Sequence, residues 1–280
     1  MKREAGILMP ISSLPSNQGI GDFGKHPYRF IDAISKQNIH IWQILPLNPA
    51  GYGNSPYQPY SSFAGDEIYI SLDTLADYGL IKQSSVRNFN KFSDAVDFEG
   101  VRAFKEPYFR KAYKTFLKNF HQFEKEYQLF CSTAEWLYPY AVFIVLKRKN
   151  ENKPWQEWKK EERDWIDSRQ LSLEDMEDEI KYHQFLQFIF YKQWNDIKKY
   201  AEKHHVKILG DIPFYVGLDS ADVWQYKNQF LLDENGYPSF VAGVPPDYFS
   251  ETGMCFVVSN SSNTNTLLDI STDIYQIAGR

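Results

Sequence analysis

The feature that most constrains this chain is an apolar run, Ile39 to Leu47, that breaks on Pro46, Pro49, Gly51 and Gly53. Its length and lack of helical spacing read as a strand over Ile39 to Leu45. The nearly continuous apolar character suits a parallel strand buried on both faces. An earlier short run, Gly6 to Met9, reads as a strand ending at Pro10. Between the two, Lys25 to Gln37 places Phe30, Ile31 and Ile34 on one helical face, with Asp22 positioned to cap it. Strand, helix, strand is a βαβ unit. A third strand, Val206 to Leu209, follows an amphipathic helix, Lys181 to His204, in which Phe185, Phe188, Ile189, Trp194 and Ile197 share a face.

Residues 75–180 break this alternation and read as helices with polar connectors. Tyr108, Ala112, Phe116 and Phe120 recur at helical spacing, and so do Trp136, Tyr140, Phe143, Ile144 and Lys147. Lys147-Arg148-Lys149 is expected to complement a helix C-terminus. Glu161 to Arg163 and Glu174 to Glu179 are expected to be solvated helix faces, and Pro154, Trp155 and Trp158 to lie in a connector. His204-His205 reads as a helix end and not a metal site, because adjacent histidines do not share a helix face.

Composition narrows the function classes. The net charge of −5 offers no global field for phosphate backbones, so nucleic-acid binding is not expected. No apolar run reaches the ~18 to 20 residues that would cross a bilayer. Met1-Lys2-Arg3-Glu4 is followed by no adequate apolar segment, so no signal peptide is read and the cytoplasm is the expected compartment. Cys131 and Cys255 form neither a metal nor a redox spacing, and no metal or cofactor is expected. The aromatic content, 17%, fits a protein that handles sugars and equally an ordinary core.

After the second strand comes a loop dense in rings, hydroxyls and amides: Tyr52, Asn54, Ser55, Tyr57, Gln58 and Tyr60. Sugar rings suit such a surface, since their C–H faces pack on aromatic faces and their hydroxyls need fixed partners. A loop that packs on its own protein is the alternative.

The order of residues carries more. Trp42-Gln43-Ile44-Leu45-Pro46-Leu47-Asn48-Pro49, followed by Gly51-Tyr52-Gly53-Asn54-Ser55-Pro56-Tyr57-Gln58, resembles the 4-α-glucanotransferases, also called amylomaltases or disproportionating enzymes. Gly6 to Pro15 with Gly19 to Gly24, Gly210 to Val216 with Asp219 to Trp224, and Ala242 to Phe249 resemble the same family in the same order. The resemblance runs from about residue 4 to Gly253. It implies an α/β fold of the (β/α)₈ TIM-barrel type, here incomplete, with the first three barrel strands and a helical insertion subdomain. The implied organisation is 1–74 for the first two β/α units, 75–180 for the insertion, 181–253 for the third unit and the start of a substrate loop, and 254–280 for a polar tail outside the family pattern.

The resemblance also implies an activity: α-1,4-glucan transfer between maltodextrins by a retaining double displacement, with no cofactor. Such chemistry needs a carboxylate nucleophile and a carboxylic acid ~5 to 5.5 Å apart. The family carries the nucleophile in an Arg-Ile-Asp-His-type motif, and no Arg-x-Asp-His occurs here. The chain is therefore expected to be a truncated form without its catalytic carboxylates. Its implied substrate-binding residues are Tyr57 as a sugar-stacking ring, Ser55 beside it, and Asp211 as the strand-end acceptor for a sugar hydroxyl. Tyr52 is implied for glucan contact further out, with Asp247 and Tyr248 on the acceptor-side loop. Asp219 and Asp222 are read as helix-start residues. Two alternatives stay open: a non-catalytic glucan-binding fragment, and a complete glycosidase that uses Asp211 with Asp247.

Overall fold

The structure, a computed structural model, describes residues 3–51, 55–90, 95–211, 216–244 and 254–257. Its centre is a three-stranded parallel sheet: β1 (Gly6–Leu8), β2 (Ile41–Gln43) and β3 (Lys207–Leu209), in that order across the sheet. The register aligns Gly6, Ile41 and Lys207, then Ile7, Trp42 and Ile208, then Leu8, Gln43 and Leu209. All three C-terminal ends thus lie on one side, as the sequence implied.

Nine α-helices are described. They are α1 (Lys25–Lys36), α2 (Leu72–Asp77), α3 (Phe98–Lys118), α4 (Glu124–Thr133), α5 (Leu137–Lys149), α6 (Lys160–Arg163), α7 (Trp165–Ser168), α8 (Glu177–Lys203) and α9 (Ala221–Gln225). A separate antiparallel pair joins β4 (Val241–Val244) to β5 (Met254–Val257). Among the described residues, no single helix is long and apolar enough to cross a membrane.

The two faces of the parallel sheet differ. Ile7, Trp42 and Ile208 point into a large core built with α1, α3 and α8, where Trp42 is fully buried and its indole N–H donates to Met9 O at 2.8 Å. On the opposite face, Leu8 and Leu209 flank Gln43 and are 54% and 51% exposed. The expected burial of β2 on both faces is met only in part: Trp42 is fully buried, while Ile41 and Gln43 on the other face are half-buried.

The expected amphipathic helix is α8. Phe185, Phe188, Ile189, Trp194 and Ile197 are all buried along it. At 27 residues it runs about 40 Å, long enough to touch both the sheet and the helices before it. The same core takes in Phe109, Ala112, Tyr113 and Phe116 of α3. A second core surrounds α5 and α9: Trp158 and Trp224 pack against Phe143, Trp165 stacks on Trp224, and Trp155 is buried in the same cluster. Trp155 and Trp158, expected in a connector, are buried there because the connector folds back under α9.

Two charged positions, Asp22 and Glu162, depart from the sequence reading, and a third, Lys147, is more buried than a helix end requires. Asp22 does not cap α1: Gly24 occupies the N-cap, and the Asp22 carboxylate accepts from Gly24 N–H at 3.0 Å and from Ser16 Oγ at 3.3 Å. Its Oδ2 lies 3.5 Å from the fully buried ammonium of Lys105, which also donates to Ile68 O and Ile70 O. Lys147 stands in the last turn of α5, as expected, and is buried there. It donates to Asn152 O and Lys153 O, and pairs with Asp219 at 2.5 Å. Glu162, inside a presumed solvated run, is buried against Asn150 and Lys149. The charged partners, Lys105 for Asp22, Asp219 for Lys147 and Lys149 for Glu162, come from outside each residue's own run.

Candidate functional site

The loop after β2 is built as a narrow hairpin. Asp66 N–H donates to Leu47 O at 2.8 Å and closes its base. Tyr60 N–H donates to Pro49 O, Ala50 and Pro59 form an antiparallel bridge, and Gly51 N–H donates to Gln58 O at 3.0 Å. The two arms thus hold one another, and Ser55, Pro56 and Tyr57 sit toward the tip. Asn48 fills the hairpin from below: its amide donates to Ser62 O at 2.9 Å and Ala64 O at 3.0 Å.

At the tip, Tyr57 N–H donates to Ser55 Oγ at 3.3 Å. The Tyr57 hydroxyl donates to Asp211 Oδ2 at 2.9 Å, across 154 residues of sequence. Asp211 stands two residues beyond the end of β3. Three residues named from the sequence, Ser55, Tyr57 and Asp211, are therefore brought together at the C-terminal end of the sheet. The Tyr57 ring is 45% exposed, so a flat face remains open beside a carboxylate. Partial burial, then the hydrogen bond and charge of Asp211, raise the Tyr57 phenol above its ordinary range, which keeps it a neutral donor. Tyr52, Asp247 and Tyr248 lie outside the described residues.

The return arm of the loop is clamped from two directions. From α8, the Gln187 side chain accepts from Gly65 N–H and donates to Gly65 O, both at 2.8 Å, and the Tyr191 hydroxyl donates to Phe63 O. From α9, Ala221 N–H donates to Tyr60 O at 2.8 Å. The Asp222 carboxylate accepts from Ser62 N–H at 2.6 Å and from the Ser61 hydroxyl at 3.2 Å. At the base, Arg102 of α3 grips Asp66 with two bonds of 2.7 and 2.6 Å. Lys147 stands 5.1 Å from the Tyr60 ring centroid while it pairs with Asp219.

Two of these carboxyls have altered acidity. Burial pushes Asp222 up to about 6, against the pull of its Ser61 and Ser62 donors. Burial also raises Asp219, opposed by the Lys147 ammonium. Asp222 does stand in the first turn of α9, as expected of a helix-start residue, but Ser220 caps that helix. The clamp residues Asn48, Asp66, Gln187 and Asp222 were not singled out as functional from sequence. Nothing local marks them, because each acts on a partner distant in the chain or through its own loop backbone.

Comparison with known proteins places the chain in a family. The family profile described as 4-alpha-glucanotransferase matches residues 9–255. A 4-alpha-glucanotransferase from Synechocystis sp. is 41% identical over 258 residues, which are 90% of this chain and 51% of that protein. One from Thermus thermophilus is 37% identical over 262 residues, with the same shares. The solved amylomaltase from Streptococcus agalactiae in complex with acarbose superposes with a TM-score of 0.88 at 34% identity, over 98% of this chain and 57% of that one. The chain spans about half the length of the relatives it matches. With a family profile covering most of its residues, the chain belongs to the 4-alpha-glucanotransferase family.

Proposed function

We propose that this chain provides the sugar-holding side of an α-1,4-glucan transfer site, serving retaining transfer between maltodextrins. The observation that carries this reading is the Tyr57–Asp211 pair at the C-terminal end of a parallel sheet, the end at which (β/α)₈ barrels place their sites. An exposed ring beside a fixed acceptor suits a glucose unit, whose C–H face stacks while a hydroxyl donates to the free carboxylate oxygen. The three strands stand as the start of such a barrel. The acarbose complex of the Streptococcus agalactiae amylomaltase supports an α-glucan-like ligand for this family.

Transfer itself needs the carboxylate pair, and no Arg-x-Asp-His motif lies within these 280 residues. We therefore assign this chain binding without turnover by itself. Two measurements test the assignment. Calorimetric titration with maltoheptaose should show binding that Tyr57→Ala weakens by about 1 kcal/mol, as for loss of an aromatic contact, while Tyr138→Ala on α5 leaves it unchanged. Equal losses would displace the site from Tyr57. Incubation with maltotriose should yield neither glucose nor longer oligomers. Turnover that survives repurification and disappears in Asp211→Ala would replace this reading with a glycosidase built on Asp211.

A further inference from the structure

We propose that Asp222 is the positioning residue for Tyr57: its carboxylate, carried on α9, sets where the sugar-facing ring stands relative to Asp211. The proposal rests on the glucan reading of that ring, and deepens it. Asp222 is buried, and among the described residues no cation pairs with it; its bonded donors are Ser62 N–H and Ser61 Oγ. A buried carboxylate held only by N–H and O–H groups is costly to keep. A helix-start role does not account for it, since Ser220 Oγ already accepts from Val223 N–H at 3.2 Å at the start of α9.

What the carboxylate holds is the return arm of the loop. Ser61 Oγ donates to Asp222 and accepts from Phe63 N–H and Ala64 N–H at 3.1 and 3.2 Å, so one carboxylate organises three consecutive backbone groups from residues 62 to 64. Ala221 N–H adds a bond to Tyr60 O beside it. From Tyr60 the constraint passes along the hairpin ladder, through Pro59 against Ala50 and Gln58 against Gly51, to the adjoining Tyr57. Few residues separate the clamp from the ring, and each is paired across the hairpin. Asp211 is carried separately, two residues beyond the end of β3. The 2.9 Å Tyr57–Asp211 bond therefore reports whether these two supports are aligned.

The test follows the Tyr57 ring directly. Tyrosines labelled with ¹³C in the ring are observed by NMR, and Tyr57→Phe assigns the Tyr57 signal. Asp222→Asn keeps the shape, removes the charge and leaves one donor in place of an acceptor; Asp222→Ala removes both. In folded Asp222→Asn the Tyr57 signal should move toward that of a solvent-exposed tyrosine while Tyr138 stays in place. Asp222→Ala should move it further, and the maltoheptaose dissociation constant should rise about tenfold. A general loss of stability would lower the melting temperature without singling out Tyr57. A Tyr57 signal unchanged in folded Asp222→Asn overturns the proposal. If Asp222→Ala does not fold, the Asn variant decides alone. If the parent chain fails to bind maltoheptaose, the glucan reading falls, and the tyrosine signal still decides whether Asp222 positions the ring.

Discussion

At the scale of single residues, Asp222 makes opposite contributions to loop geometry and to stability. Its carboxyl is pushed up to about 6 in the folded chain, whereas an unfolded aspartate titrates near ~3.9. The folded state binds this proton more tightly, so the group favours folding fully below about pH 4, and that contribution is lost as pH rises through about 6. The parent should therefore lose about 3 kcal/mol of unfolding free energy relative to Asp222→Asn between pH 4 and 7, from about 2 units at 1.4 kcal/mol each. Urea melts of both proteins across that range check it, and a parent that gains on the variant with rising pH contradicts it. The same residues show what sequence can and cannot reveal. Tyr57 and Asp211 could be named together from sequence because they sit in ordered motifs after strands, and the structure brings the two into contact. Glu162 was misread as solvated because its charge is visible in sequence and its burial is not. Lys147 meets Asp219 across 72 residues, and no local pattern encodes that meeting.

At the scale of elements, α8 was the most legible piece, since five spaced apolar side chains define its buried face. Its polar insertions were not legible. Gln187 and Gln193 are buried in that same helix and bond the backbone of Gly65 and Ser71. An amide on an apolar stripe looks like a defect until the loop that it holds is placed beside it. Gly65 is the point of closest approach. A Cβ there would lie 2.1 Å from the Phe190 ring, and the flanking amide bonds prevent the loop from backing away. Gly65→Ala should cost about 2 kcal/mol in urea unfolding, within the range for overpacked cores. Because the displaced segment is the return arm, maltoheptaose affinity should fall with it. A variant as stable as the parent would mean that α8 and the loop are less tightly joined than their bonds indicate.

At the scale of the whole molecule, the parallel order and the common direction of the strand ends could be read from alternating runs and loops. The state of the sheet's two faces could not. Trp42 and Ile44 are buried, whereas Leu8 and Leu209 stand exposed, although all four belong to comparably apolar runs. The difference is set by which face α1, α3 and α8 cover, a property of packing between distant segments. The edges carry the sharper test. Among the described residues β2 is paired on both sides, while β1 and β3 are each paired on one. In β3, Lys207 N–H donates to His40 O at 2.8 Å. Alternation along a parallel strand turns the next amide, that of Ile208, to the unpaired side. The Ile208 side chain meanwhile packs on the main core, so the strand stays seated although its outer edge is open. Hydrogen exchange under native conditions should then be fast at Ile208 and slow at Lys207 and through the buried turns of α8, around Phe185 to Ile197. An Ile208 amide as protected as Lys207 would show that another segment or a second polypeptide pairs with this edge, which is the template that an open strand presents.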